Sequence, residues 1–255
     1  MGHIICVTNQ KGGVGKTSTA SSLINGLAGK GFSTLAVDTD PQSNLTYSMN
    51  ADENHPGVYE LLNGSVDPLE TVQSTAQGDI IPASLMLSKA DIEFITAVGR
   101  EYLLSKALEP LKGRYDYIVI DSPPQLGILT INALAAANDV IIPMGADTFS
   151  LQGLAQLNAT ITEVKRHCNQ SLNVAGLLIT RYSGRAILSQ ELRETIEEMA
   201  AQIGTGVFTS VIREGIAVKE AQTRRESLYT TAPRSNPALD YLAFAEEYIQ
   251  GRRQP

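Results

Sequence analysis

Short apolar runs recur along the chain and alternate with longer segments of helical periodicity. The runs are rich in Val, Ile and Leu, and several end at an Asp or a turn-forming residue, which is typical of strands buried in a parallel sheet. We predict strands at residues 4–7, 33–37, 79–82, 115–120, 140–143, 174–180 and 207–212. This alternation predicts an α/β fold in which helices flank a mostly parallel central sheet on both faces.

Apolar residues three or four positions apart predict helices between these strands. The spacing of Ile92, Ile95, Val98 and Tyr102 predicts one helix over residues 89–109. Further helices are predicted over residues 18–29, 126–137, 151–168, 188–201 and 236–249. Residues 44–78 are polar and interrupted by proline and glycine, so no element is assigned there. Because no linker, repeat or low-complexity tract divides the chain, we expect a single domain over residues 1–255.

The composition is that of a globular protein with an aliphatic core. Of the 255 residues, 43% are hydrophobic and 5% aromatic, and tryptophan is absent. The net charge of −7 arises in residues 1–177, which hold 10 basic and 17 acidic residues, whereas residues 178–255 hold 10 of each. The total argues against indiscriminate binding to polyanions, although a neutral C-terminal third can still present a basic face.

Cysteine usage and hydropathy favour a cytoplasmic protein. Cys6 and Cys168 are far apart and lack Cys-x-x-Cys spacing, so we expect reduced thiols. We expect no signal peptide before the first strand, and no apolar run reaches the roughly 18 residues that a membrane-spanning helix needs.

A glycine-rich loop separates the first predicted strand from the first predicted helix. Residues 10–17 are Gln-Lys-Gly-Gly-Val-Gly-Lys-Thr. Glycines let a backbone approach an anion closely, and the loop N–H groups and the dipole of the following helix then face its phosphates. The sequence therefore predicts a nucleoside triphosphate site. Its predicted binding residues are Gly12, Gly13, Val14, Gly15, Lys16, Thr17 and Ser18.

Two lysines in this loop have different expected roles. Lys16 is expected to neutralise the β- and γ-phosphates, and the neighbouring Thr17 hydroxyl is expected to ligate Mg²⁺. The loop departs from the standard phosphate-loop pattern, because Gln10 occupies the place of the first glycine. The glycines have shifted towards Lys11, a second lysine that an ordinary phosphate loop does not need.

Two predicted strands end in acidic residues. Asp38 and Asp40 follow the second strand, and Asp121 ends the strand at residues 115–120. Ligands of open parallel sheets bind at the carboxyl ends of the strands, and an aliphatic strand that ends on Asp is typical of a Walker B element, whose carboxylate holds Mg²⁺. Thr17, Asp40 and Asp121 are therefore the candidate metal residues. Spacing does not decide which of Asp38 and Asp40 orients the attacking water and which holds the loop.

These motifs together resemble those of the ParA/Soj/MinD family of deviant Walker ATPases, and the resemblance spans nearly the whole chain. Residues 11–17 resemble the deviant Walker A loop, residues 38–42 the Walker A′ element, and residues 121–127 the Walker B and switch region. Residues 143–153 and 232–235 are more weakly similar to family segments. The length and the Asp-x-Asp-Pro-Gln motif are most similar to the small ParA (Soj-like) branch.

The resemblance implies a Mg²⁺-dependent ATPase in which two ATP-bound monomers form a face-to-face homodimer. By match to the family, Lys11 would reach the partner's phosphates, where a cation supplied in trans stabilises the transferring phosphoryl group. Asp40 would position or activate water, so Lys11, Lys16 and Asp40 are the predicted catalytic residues, and Pro233 would lie on the nucleotide side. Hydrolysis is expected to be slow, because a long-lived ATP dimer is the useful state.

The resemblance also implies that the ATP dimer binds DNA without sequence preference. It would act on the nucleoid in plasmid or chromosome partition and be stimulated by a ParB-like centromere-binding protein. DNA contacts of this kind go to phosphates. The candidates are Arg181, Arg185, Arg213, Lys219, Arg224 and Arg225. One departure concerns the second arginine of the family segment, whose place is taken here by Ala217.

Three alternatives compete with partition. A MinD-like membrane-cycling ATPase needs a C-terminal amphipathic helix with a basic face. In the predicted C-terminal helix and the tail after it, Glu246 and Glu247 lie beside the apolar positions and Arg252 and Arg253 are the only basic pair, so no stable membrane association is expected. A metal-cluster carrier or reductase of the same superfamily needs paired cysteines, which Cys6 and Cys168 do not supply. A protein without hydrolytic activity is not favoured, because every expected catalytic residue is present.

Overall fold

The computed structural model describes residues 2–145, 148–182 and 190–253. Within them, eight strands form one sheet. The strands are β1 (His3–Val7), β2 (Thr34–Asp38), β3 (Gln73–Thr75), β4 (Gly78–Ile81), β5 (Tyr117–Asp121), β6 (Asp139–Gly145), β7 (Asn173–Tyr182) and β8 (Val207–Arg213). Their order is β3-β4-β2-β5-β1-β6-β7-β8, and every neighbouring pair is parallel except β3 and β4. The predicted α/β fold with a mostly parallel sheet is confirmed.

Helices cover both faces of this sheet. In the described residues they are α1 (Lys16–Gly29), α2 (Asn44–Ser48), α3 (Val58–Asn63), α4 (Ala90–Glu93), α5 (Leu103–Leu108), α6 (Ile128–Ala136), α7 (Thr148–His167), α8 (Gln190–Gln202), α9 (Ile216–Arg224), α10 (Leu228–Thr231) and α11 (Asn236–Arg253).

The two faces arise from the two-residue period of the strands. In β1, Ile4 and Cys6 pack into a core that includes α3, α5, α6, α7 and α8, whereas Ile5 and Val7 pack into a second core with α1, α2, α9 and α11. All four side chains are fully buried. A strand buried on both faces is continuously apolar, which is why periodicity identifies these strands from the sequence.

The prediction of one helix over residues 89–109 is wrong. The segment holds two short α-helices, α4 and α5, which are separated by turns and by a 3-10 helix at Arg100–Tyr102. The predicted apolar side is not buried: Ile92, Ile95 and Val98 are 78%, 57% and 98% exposed. The helix α4 ends at Glu93, and the chain then turns through residues 94–99, where the left-handed backbone of Gly99, with a φ of +68°, is incompatible with a continuous helix.

The sheet register places the predicted acidic residues beside the glycine loop. Val7, the last residue of β1, pairs with Asp121 of β5, and Asp121 pairs with Asp38 of β2 on its other side. The loop at residues 10–17 follows β1, so the loop and both carboxylates meet at the carboxyl edge of three adjacent strands. This edge is where ligands of parallel sheets bind.

Candidate functional site

A cavity of about 950 Å³ opens at this carboxyl edge. Its walls come from the glycine loop, the segment after β2, the segment after β5, the end of β7, and α9. Among the lining residues are Gly12, Gly13, Gly15, Lys16, Thr17, Ser18, Asp40, Pro124, Gln125, Thr180, Arg181 and Lys219. The volume is in the range of small-molecule and cofactor sites, roughly 300–1,000 Å³.

The glycine loop is shaped by two left-handed residues and by bonds to its carbonyl groups. Gly13 and Gly15 have φ values of +74° and +85°, and Gly15 occupies the N-cap of α1. The Lys16 ammonium donates to the Lys11 carbonyl at 3.3 Å, and the Thr180 hydroxyl donates to the Val14 carbonyl at 2.7 Å. Side chains thus engage the carbonyls of Lys11 and Val14, and the positive end of the α1 dipole lies at Gly15, an arrangement that suits an anion at this loop.

Asn9 fixes the start of the loop and was not identified from the sequence. Its side-chain amide donates to the Pro143 carbonyl of β6 at 2.7 Å, and its side-chain oxygen accepts the Lys11 N–H at 2.9 Å. The residue is almost fully buried. A polar residue directly after an apolar strand and before a glycine loop was the available signal.

Lys16 lies between the loop and the carboxylates. It is buried, and burial lowers the pKa of its ammonium, while the charges of Asp121 and Asp40 oppose that shift. The site therefore brings together the predicted phosphate-binding lysine and both candidate carboxylates. An ammonium held at low exposure beside an anion-binding loop adds positive charge where phosphates would lie.

Asp121 is buried with hydrogen-bonding capacity to spare. It is 1% exposed, and neither of its carboxylate oxygens has a hydrogen bond of ordinary geometry within the described residues. Burial and the charge of Asp38 raise the pKa of Asp121 well above its ordinary value, while the nearby Thr17 hydroxyl and Lys16 act to lower it. A buried carboxylate next to a hydroxyl fits a divalent cation, which would satisfy both oxygens.

The described residues hold no group of three or more His, Cys, Asp or Glu side chains that could bind a metal on their own. A cation held by Thr17 and Asp121 would therefore need further oxygen ligands from phosphates or water. Mg²⁺ is the ion that binds in this way, through one or two protein oxygens.

The structure separates Asp38 from Asp40. Asp38 is fully buried and accepts hydrogen bonds from the Thr46 N–H, the Thr46 hydroxyl and the Asp40 N–H, at 2.8, 2.7 and 3.1 Å. Burial raises the pKa of Asp38 to about 6 against these hydrogen bonds. Asp40 lines the cavity and accepts the Gln42 N–H at 3.0 Å. Asp38 is thus placed to hold the loop, and Asp40 to face a ligand.

Three of the predicted DNA contacts are engaged by other groups. Arg213 forms a two-pronged ion pair with Asp240, with a closest approach of 2.6 Å. The Arg225 guanidinium lies 3.9 Å from the ring centroid of Tyr47. Arg181 donates to the carbonyl of Gly13.

The other candidates are placed differently. Lys219 and Arg224 are exposed on α9, and within the part of the chain that the structure describes neither has an ion-pair partner. Arg185 lies outside the described residues. Ala217 is 8% exposed and packs in the core beneath α9, so this position offers no surface contact. Pro233 is exposed and is not one of the residues lining the cavity.

The C-terminal helix α11 packs its apolar side into the core. Its buried residues are Ala238, Tyr241, Phe244, Ala245, Tyr248 and Ile249. The Glu247 carboxylate accepts hydrogen bonds from the N–H groups of Thr209 and Ser210 on β8. A polar residue of α11 therefore binds the backbone of the edge strand. Over the described residues, no helix has the length and apolar character needed to cross a bilayer.

Comparisons with known proteins agree with this arrangement. A family model described as an AAA domain matches residues 2–174. The chain is 39% identical over 251 residues to the sporulation initiation inhibitor protein Soj of Bacillus subtilis (strain 168), covering 97% of this chain and 98% of that protein. It is 36% identical to the chromosome partitioning protein ParA of Myxococcus xanthus (strain DK1622), covering 98% and 89%.

A solved structure extends the similarity to the whole fold. The structure described as cobyrinic acid a,c-diamide synthase from Mycobacterium smegmatis, with bound ADP and magnesium, superposes with a TM-score of 0.86 at 33% identity, covering 100% of this chain and 96% of that one. The family model, the curated relatives and the solved structure each match more than half of the chain. The chain belongs to the ParA/Soj family of partition ATPases.

Proposed function

We propose that the protein is a Mg²⁺-dependent ATPase that dimerises in the ATP-bound state, binds DNA without sequence preference and drives plasmid or chromosome partition. The observation that carries the proposal is the cavity in which the glycine loop, Lys16 and the unsatisfied carboxylate of Asp121 converge. Anion-binding backbone, a buried cation and a carboxylate with spare acceptor capacity together suit a Mg²⁺-nucleotide.

Each group in this cavity has a separate role in the proposal. Lys16 and the loop N–H groups bind the phosphates, and Thr17 and Asp121 hold the cation. Bound Mg²⁺ supplies positive charge against the phosphate oxygens as negative charge builds up on them. Asp40 orients the attacking water, which its position on the cavity wall allows.

Lys11 makes the proposed site a two-chain site. Asn9 binds its N–H and Lys16 binds its carbonyl, so the backbone at Lys11 is fixed on both sides. In the proposed dimer the Lys11 ammonium acts on the nucleotide of the partner subunit, and two-fold symmetry makes each chain both donor and acceptor. A ParB-like protein would stimulate turnover of this dimer.

DNA is favoured over membrane as the surface on which the dimer acts. The apolar side of α11 is buried in the core, which leaves it no apolar face to insert into a lipid interface. The exposed cations of α9 remain available for phosphates. Partition on the nucleoid in the cytoplasm is therefore the function that the chain supports best.

The test combines gel filtration with two binding assays. The full chain is run without nucleotide, with Mg²⁺-ADP and with a slowly hydrolysed Mg²⁺-ATP analogue, and is then offered random-sequence DNA at low salt or anionic liposomes. We expect a shift to dimer and DNA binding only with the ATP analogue. Binding to liposomes without binding to DNA would contradict the partition proposal, and absence of nucleotide binding would contradict the ATPase itself.

A further inference from the structure

Two consecutive residues at the end of β7 hold the phosphate loop. Thr180 donates its hydroxyl to the carbonyl of Val14 at 2.7 Å, and Arg181 donates its guanidinium to the carbonyl of Gly13 at 3.0 Å. Successive side chains of a strand normally point to opposite faces of the sheet. Neighbouring residues therefore reach the same loop only if the backbone departs from strand geometry between them.

The backbone of Arg181 makes this departure. Its φ is +53°, in the left-handed region that residues with a Cβ atom rarely adopt. Such strain persists when the surrounding structure enforces it, and it clusters at ligand-binding sites. Here the strained residue contacts the loop that Thr180 also contacts.

The far side of the Arg181 guanidinium is oriented by Glu214. The two groups lie 3.1 Å apart, with 57% and 47% of their side chains exposed. An ion pair as exposed as this contributes little stability in water, so it does not account for the strained backbone. Glu214 is itself fixed, because its N–H donates to the Tyr182 carbonyl at 2.9 Å. The pair thus holds the guanidinium in line with Gly13.

We propose that Arg181 is a positioning residue of the nucleotide site and not a DNA contact. By donating to the Gly13 carbonyl, Arg181 keeps the loop in the conformation whose N–H groups donate to a phosphate. The inference rests on the proposed nucleotide binding and adds to it a residue that the family resemblance assigns to DNA. Removing the Arg181 side chain lowers the fraction of molecules whose loop has the binding conformation. The apparent affinity for nucleotide then falls by the same factor.

Two substitutions separate positioning from simple structural support. Arg181→Ala removes the guanidinium and keeps the strain, whereas Arg181→Gly removes both, because glycine adopts a positive φ freely. We expect both variants to bind a fluorescent Mg²⁺-ADP analogue about three- to tenfold more weakly, the size of one partly exposed charged hydrogen bond. The Tm of the nucleotide-free Gly variant should be at or above that of the Ala variant. If Arg181 supported only folding, a Gly variant with a higher Tm than the Ala variant would also bind the Mg²⁺-ADP analogue more tightly than the Ala variant.

Arg114→Ala is the matched control, since Arg114 is an exposed arginine away from the cavity. DNA binding by each variant is measured as a function of salt at saturating nucleotide. We expect the Arg181 variants to keep the wild-type slope. Unchanged nucleotide affinity with a slope reduced by about 1.8, which is one lost phosphate contact from each chain of the dimer, would assign Arg181 to DNA and overturn the inference. Failure of the wild type to bind Mg²⁺-ADP would overturn the proposed function and this inference with it, whereas equal affinity of wild type and both variants would overturn the inference alone.

Discussion

Asp38 and Asp40 are two residues apart but have different hydrogen-bond partners. Asp38 uses both carboxylate oxygens to bind the backbone and hydroxyl of the segment from Asp40 to Thr46. Thr46 in turn accepts the Ala83 N–H with its hydroxyl oxygen, so this network ties β2 to the residues after β4. Asp40 accepts the Gln42 N–H and faces the cavity. A carboxylate with spare acceptor capacity at a ligand site is the better candidate to bind water.

The role of Asp40 predicts a separation of binding from turnover. Asp40→Ala should bind Mg²⁺-ATP with nearly wild-type affinity, because Lys16 and the loop are unchanged. Its hydrolysis should fall by at least about 10²-fold, the usual contribution of a general base. Gel filtration after addition of ATP should then show a dimer that persists while the wild-type dimer decays. Normal turnover by this variant would remove Asp40 from the mechanism.

At the scale of elements, the helix that follows the Walker B segment is capped by a residue from another helix. The Asp91 carboxylate on α4 accepts the N–H of Ile128, the first residue of α6, at 2.7 Å. A Cβ atom on Gly127 would lie 2.6 Å from the same carboxylate. Gly127 is therefore needed for the close approach of Asp91 and not for an unusual backbone angle, since its φ is −88°.

This contact predicts that two substitutions remove the same cap. Asp91→Ala should lower the free energy of unfolding by about 1 kcal/mol, the usual cost of losing an N-cap. Gly127→Ala should cost at least as much, because the new methyl group displaces Asp91. Urea denaturation of both single variants and the double variant tests this, and the double variant should be no less stable than Gly127→Ala alone. Additive losses would show that the two residues act independently.

A second set of contacts joins α11 to the start of three strands. Asp139 of β6 accepts hydrogen bonds from His3 of β1, Asn173 of β7 and Tyr248 of α11, at 2.7, 2.8 and 2.7 Å. Burial alone would raise the pKa of Asp139, but these bonds outweigh it and the pKa is lowered. The ionised carboxylate is thus the form that the fold stabilises.

The lowered pKa predicts a pH-dependent loss of stability. Because the folded pKa lies below the unfolded value, the contribution of Asp139 is present above the unfolded pKa of about 3.9 and is lost as pH falls through the folded pKa. Tyr248→Phe removes one charge-assisted bond and should cost about 1.5–3 kcal/mol at pH 7. Urea denaturation at pH 7 and below pH 4 should show this cost shrinking with acid. A cost that does not change with pH would contradict the ionised carboxylate.

Periodicity predicted the elements that are buried on both sides and failed where burial is partial. The β1, β5 and β6 runs are continuously apolar because both faces of each strand are covered, and neither amphipathic helices nor half-exposed strands have that pattern. The helical spacing of Ile92, Ile95 and Val98 was misleading, because those side chains face solvent while Phe94 and Leu104 are buried. The short β3 was missed, since an edge strand with half-exposed residues has no apolar run.

Local motifs were enough to predict a glycine loop and carboxylates at the strand ends, whereas residues that fix the loop come from distant segments. Thr180 and Arg181 follow the loop by more than 160 positions, and only the pairing of β6 with β7 brings them to it. Arg213 and Arg225 are basic residues in the sequence, but in the fold Arg213 forms an ion pair with Asp240 and Arg225 lies over the ring of Tyr47. A charge pattern gives the basic residues but not their partners in the fold, so it could not separate Arg213 and Arg225 from the unpaired Lys219 and Arg224 of the described chain.

At the scale of the whole molecule, the distribution of charge limits how DNA could be bound. The net charge is −7, and the acidic excess lies in residues 1–177. A monomer with this net charge is repelled by DNA at long range, and salt screens that repulsion as well as any attraction. A few cations on one face are therefore most effective when a dimer presents two sets of them together, which gives an effective concentration that neither chain has alone.

This reasoning leads to a prediction for α9. Lys219→Gln and Arg224→Gln should each weaken the binding of the ATP-state dimer to random-sequence DNA, because both residues are exposed cations without ion-pair partners in the described chain. Removing one phosphate interaction lowers the slope of log K against log salt by about 0.9, so a symmetric dimer should show a slope about 1.8 lower per substitution.

Lys165→Gln, at an exposed lysine of α7 outside the cavity, is the control for charge alone. If all three variants reduce the slope equally, the effect comes from net charge and α9 is not the DNA-binding surface. If the slope falls only for the α9 variants, the C-terminal third binds DNA even though Ala217 occupies the place of the family arginine.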